Sequence, residues 1–94
     1  MTRLDLYLKY TGLIKQRTEA KRACADGRVL IDGKPVKASW TVKIGEVITI
    51  ETPTSLVQVK VLDIPRRNPS KSLRETFFQI LSRQRRDPQD DLTF

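Results

Sequence analysis

Arg3-Leu-Asp-Leu-Tyr-Leu-Lys-Tyr-Thr-Gly-Leu-Ile-Lys-Gln-Arg-Thr-Glu-Ala-Lys-Arg-Ala-Cys-Ala-Asp-Gly-Arg-Val-Leu-Ile-Asp-Gly33 contains the elements from which the fold can be read. Leu4, Tyr7, Leu8 and Thr11 recur at i, i+3, i+4 and i+7, which predicts a short amphipathic helix. Gly12 is placed to stop it, and Leu13 and Ile14 are expected to plug the core between helices. Thr18 is the expected N-cap of a second helix, with Glu19 where the helix dipole favours an anion. Its face of Ala20, Ala23 and Cys24 is made of small side chains that let another helix approach closely, and Gly27 suits its C-terminus. Arg28 to Asp32 reads as a strand, and Asp32-Gly33 is a tight hairpin turn.

Downstream, Lys34, Pro35 and Val36 begin the return strand, Val47 to Ile50 form another, and Val57, Val59 and Val61 alternate in a third. The class expected is α+β, with two short helices packed on a small, mainly antiparallel sheet. Pro65 to Ser70 reads as a basic, proline-bounded linker. Beyond it, Leu73, Phe77, Ile80 and Leu81 fall at i, i+4, i+7 and i+8, which predicts a C-terminal helix capped by Ser70 or Ser72 and ended by Pro88. The expected division is a domain over 1–64, then linker, helix and acidic tail over 65–94.

Charge sharpens the functional reading. The 94 residues carry a net charge of +7. Met1–Gly45 holds +6 and Arg66–Arg86 another +6, around a middle of −2 and ahead of a tail of −3. Two basic blocks flanking a β-rich middle are the footprint of a nucleic-acid partner. There is no histidine, which removes His-based acid–base catalysis and His-ligated metal sites. Cys24 is the single cysteine, so no intrachain disulfide forms, and its helical spacing from Ala20 favours a core position. No signal-peptide pattern or long apolar run is present, so a cytoplasmic protein without membrane contact is expected.

The first fifty residues resemble the S4-type RNA-binding domain, an αL fold. The resemblance is carried by Arg3-Leu4-Asp5, Leu8, Lys15, Arg17, Ala20, Gly27, Val29, Ile31, Asp32-Gly33, Val36, Ser39, Val42, Gly45-Glu46 and Ile48. Lys15-Gln16-Arg17-Thr18 and Lys37-Ala38-Ser39 are similar to the branch of small stand-alone members that includes RqcP and the fifteen-kilodalton heat-shock protein. That resemblance implies a non-enzymatic factor of the large ribosomal subunit. Its partners would be ribosomal RNA and tRNA or peptidyl-tRNA, in rescue or quality control of stalled or obstructed subunits. A monomer without a cofactor is expected. An accessory or adaptor role in ribosome assembly or another RNA process is the alternative.

Arg3, Lys15 and Arg17 are the first candidates for RNA contact, followed by Lys21 and Arg22, with Lys34 and Lys37 extending the footprint and Arg66 and Arg67 clamping a further segment. Such side chains read phosphate and 2′-hydroxyl rather than base edges, because the A-form major groove is too narrow. Arginine offers a bidentate fork to phosphate, whereas lysine acts as a point charge. Each has a competing structural reading. Arg3 has Asp5 as a neighbouring carboxylate, and Asp5 either orients Arg3 or pairs with Lys9 four residues on. Lys21 and Arg22 also suit a solvated helix face, and Arg83, Arg85 and Arg86 a helix C-terminus. Tyr7 and Trp40 are stacking platforms or, more commonly in so small a domain, core.

Overall fold

The computed structural model describes residues 2–67 and 69–85. Helix α1 spans Leu4–Tyr10 and helix α2 spans Arg17–Ala25. Strands β1 (Val29–Ile31), β2 (Lys34–Pro35), β3 (Val47–Glu51), β4 (Ser55–Val61) and β5 (Phe78–Arg85) form one sheet in the order β2-β1-β3-β4-β5, antiparallel throughout. The expected class, two helices on a small antiparallel sheet, is what the chain adopts.

Leu4, Tyr7 and Leu8 of α1, Ala20 and Cys24 of α2, and the alternating Val29, Ile31, Ile48, Ile50, Val59 and Val61 of the sheet make one buried core. Full burial of each large aliphatic side chain contributes about 1.5–3 kcal/mol. On the opposite face of the sheet Thr49 is also buried, where the Gln58 side-chain amide donates to its hydroxyl at 3.3 Å. The Asp32-Gly33 turn forms as the sequence indicates, with φ of +50° and +86° and Ile31 paired to Lys34 across a two-residue loop.

Three local expectations are corrected. Helix α2 begins at Arg17 after an extended Gln16 and has no side-chain cap, so Thr18 lies inside the helix rather than before it. Asp5 turns inward and does not pair with Lys9. The C-terminal helix expected from Ser70 or Ser72 is instead a 3-10 turn at Arg74–Phe77 followed by β5. The physical cause is the free edge of β4. Phe78 pairs with Val61 and Ile80 with Val59, which extends the ladder and covers that edge. The expected stop at Pro88 and the acidic tail lie outside the described residues, as does Arg86.

Candidate nucleic-acid interface

Helix α1 starts by docking onto the loop before β3. The Leu4 N–H donates to the Trp40 carbonyl at 2.7 Å and the Asp5 N–H to the Ala38 carbonyl at 3.2 Å, while Arg3 bridges to Thr41. Two N–H groups that the first turn leaves unpaired are satisfied in this way. A third, from Leu6, donates to Asp5 Oδ1 at 2.8 Å.

The Asp5 side chain is completely buried. Its Oδ1 lies 3.4 Å from Arg3 Nε, and its Oδ2 accepts from Arg17 Nε at 3.1 Å. The two arginines start from the N-terminal ends of different helices and meet on one carboxylate. Both side chains stay well exposed, at 47% for Arg3 and 39% for Arg17. Each uses Nε on Asp5, and no other described residue forms an ion pair with either guanidinium. The Nη edges are therefore presented to solvent as ready-made forks for phosphate. One negative charge holds two positive ones, so the cluster keeps a net positive charge facing outward.

The other basic candidates are all exposed. Lys37 lies exposed next to Ala38, whose carbonyl anchors α1. Lys37 and Lys21 line the rim of a shallow groove over Cys24, Val36 and Ala38, with a volume of about 420 Å³. Arg66 and Arg67 are exposed directly after Pro65, whose carbonyl accepts from the Thr2 hydroxyl at 3.0 Å. The start of the second basic block is thereby tied beside the residue preceding Arg3. Lys15 is exposed between the helices, Arg22 on α2 and Lys34 in β2; none of the three forms an ion pair among the described residues.

Trp40, for which a core position is the commoner reading, is 39% exposed. Its indole N–H points to both Glu46 carboxylate oxygens at 3.3 Å, and Glu46 also accepts from the Lys43 N–H at 2.6 Å. An aromatic face is thus fixed beside the α1 terminus, available for base stacking. The neighbourhood of this pairing carries no helical or strand period, so sequence spacing does not reveal it. Tyr7, the other aromatic candidate, is fully buried, and its hydroxyl donates to the Phe77 carbonyl at 2.7 Å. Burial raises the Tyr7 pKa well above the phenol range, and the negative charge of Asp63 adds to the effect. The Cys24 thiol, pushed up to about 11 by burial and then by the charge of Asp5, is a packed core group. Among the described residues no helix is long and apolar enough to cross a membrane.

The same segment is the one that matches known proteins. Residues 2–48 match the S4 domain. The RQC P-site tRNA stabilizing factor of Bacillus subtilis is 44% identical over 62 residues, covering 66% of this chain and 72% of that protein. Its counterpart in Listeria innocua is 34% identical over 85 residues, covering 90% of this chain and 91% of that protein. Among solved structures, trimeric Vibrio cholerae Heat Shock Protein 15 superposes with a TM-score of 0.80 over 86% of this chain and 82% of that one; at 22% identity it speaks to fold alone. The solution structure of the hypothetical protein HP1423 gives a TM-score of 0.74 at 26% identity, over 88% of this chain and all of the other (100%). The arginine-bearing helix pair, its docking loop and the hairpin that follows all fall within the matched residues, and the chain belongs to the S4 domain family.

Proposed function

We propose that this chain is a non-enzymatic RNA-binding factor of the large ribosomal subunit. It contacts ribosomal RNA and the P-site tRNA or peptidyl-tRNA during rescue or quality control of stalled subunits. The observation that carries this reading is the convergence of Arg3 and Arg17 on buried Asp5, which leaves two guanidinium forks exposed on one surface. Relatives named as RQC P-site tRNA stabilizing factors supply the ribosomal setting. The charge of +7 supplies long-range attraction to a polyanion.

In this reading residues 1–64 carry the grip, and the segment from 65 onward brings Arg66 and Arg67 to its border. Lys15, Lys21, Arg22, Lys34 and Lys37 widen the contact. The protein works in the cytoplasm as a monomer, binding and positioning RNA without turning over a substrate. Co-sedimentation with large ribosomal subunits tests it. The Arg3→Ala/Arg17→Ala variant is expected to stay in the supernatant at a salt concentration where the unmodified chain pellets. Undiminished pelleting of that variant would overturn the assignment of the grip.

A further inference from the structure

The second basic block builds a cleft of its own at the opposite end of α1 from Asp5. Directly paired residues on neighbouring strands share a face of the sheet. Val61 with Phe78 and Val59 with Ile80 lie on the helix-covered face, where both valines are fully buried. Strict alternation along β5 would send Arg83 and Arg85 to the other face. The register shift between Gln58 and Val59 makes Leu81 an extra residue, and beyond it Val57 pairs with Arg83 and Ser55 with Arg85. Val57 packs against the core, so the bulge turns both arginines to the helix side.

They meet a wall made by the turn after α1 and the segment before β5. Arg74 lies over Gly12, close enough that a Cβ there would sit 3.4 Å from Nη1. Its Nε is buried and has no hydrogen-bond partner among the described residues. A buried guanidinium N–H without a partner is unfavourable, and an anion in the cleft would supply the missing acceptor. Lys71, Arg74, Arg83 and Arg85 line the space against one carboxylate, Glu75. None of the four cations forms an ion pair among the described residues. The cleft measures about 870 Å³, with Phe78 and Ile80 on its floor. That volume is room for a run of nucleotides rather than a single ion.

We propose that this cleft is a second RNA site, holding a single-stranded backbone on Arg74, Arg83 and Arg85 while sugars and bases rest on Phe78 and Ile80. A cationic track beside an apolar, partly aromatic floor is the chemistry that holds single strands without reading their sequence. The inference takes RNA as the partner from the proposed function but assigns a separate contact to it.

The experiment is amide and arginine Nε–H NMR of the full chain titrated with a short oligouridine. Shifts are expected at Arg74, Arg83 and Thr54, which also lines the cleft, and they persist in the Arg3→Ala/Arg17→Ala variant. Arg83→Gln/Arg85→Gln, at two exposed positions of an edge strand, is expected to weaken binding about fivefold to tenfold. It also lowers the log–log salt slope by about 1.4, or ~0.7 for each lost phosphate contact. Shifts confined to the surroundings of Arg3 and Arg17, with an unchanged slope in the glutamine variant, would overturn the second site and leave the first standing. Shifts confined to the cleft would sink the Arg3–Arg17 grip instead. If Asp87→Asn/Asp90→Asn/Asp91→Asn moves the cleft resonances without RNA and oligouridine does not, the occupant is the chain's own tail and the inference fails. Should the glutamine variant not fold, the titration of the unmodified chain decides.

Discussion

Arg17 Nε donates to Asp5 Oδ2 at 3.1 Å, and this bond joins the N-terminal ends of two helices across twelve residues of sequence. Arg17 is anchored through the nitrogen nearest its stem, so its terminal edge keeps a fixed direction. The carboxylate is buried while the guanidinium reaches water, an arrangement that sets orientation more than stability.

Asp5→Asn separates those two roles. The substitution removes a negative charge from a basic surface, which on Coulomb grounds alone would strengthen RNA binding. We expect the reverse, a several-fold loss of affinity, because Arg3 and Arg17 lose their common anchor. The stability cost is about 1–3 kcal/mol, since Asn retains one acceptor for the Leu6 N–H and the arginines relax into solvent. Filter binding to ribosomal RNA and urea denaturation measure the two effects. Tighter binding by Asp5→Asn would show that Asp5 only dilutes the charge.

Tyr7→Phe is expected to cost stability without touching RNA affinity. The phenol hydroxyl fastens α1 to the segment entering β5, seventy residues away in sequence, through the Phe77 carbonyl. That carbonyl also accepts from the Leu62 N–H at 2.9 Å and the Asp63 N–H at 3.2 Å, so it is not left unsatisfied. The expected loss is therefore at the modest end, about 0.5–1.5 kcal/mol, read as a lowered urea midpoint. A concurrent fall in RNA affinity would mean that the C-terminal strand positions the grip.

What was legible in the chain follows how local each determinant is. The Ala20 and Cys24 face and the Asp32-Gly33 turn depend on neighbours within a few residues, and both form as read. The Arg17–Asp5 bond was not legible, because Lys9 offered Asp5 a closer partner in sequence and burial of a carboxylate leaves no periodic trace. Leu73, Phe77, Ile80 and Leu81 satisfy a helical period on their own. Only β4, present in three dimensions as an open edge, makes the extended conformation win. Arg83 and Arg85 changed meaning for the same reason, since a bulge in the nonlocal pairing decides which face they occupy.

Gly12→Ala probes the turn between the two basic sites. Gly12 has φ of +77°, a left-handed conformation that costs an L-residue about 1–2 kcal/mol. The added Cβ also meets Arg74 Nη1 at 3.4 Å, a contact the flexible guanidinium relieves by shifting. We expect destabilisation of about 1–2 kcal/mol by urea unfolding, together with a displaced Arg74 Nε–H resonance. Full stability in the variant would place Gly12 outside any conformational requirement.

Alkaline unfolding tests the buried thiol. Burial, reinforced by the charge of Asp5, pushes Cys24 from 9.0 up to about 11, so the folded state favours the protonated thiol. Its stabilising contribution is complete below the unfolded pKa and is lost as pH rises from about 9 towards 11, at up to ~1.4 kcal/mol per pH unit. Tyr7, raised by burial and Asp63, adds a loss of the same sign that begins near its ordinary value of 10. In Cys24→Ala the decline is therefore expected to begin about one pH unit later, with the Tyr7 contribution remaining. Urea midpoints at a series of pH values between 8 and 11 measure the onset. Equal losses in both proteins between pH 9 and 10 would show that Cys24 ionises as freely in the folded chain as in the unfolded one.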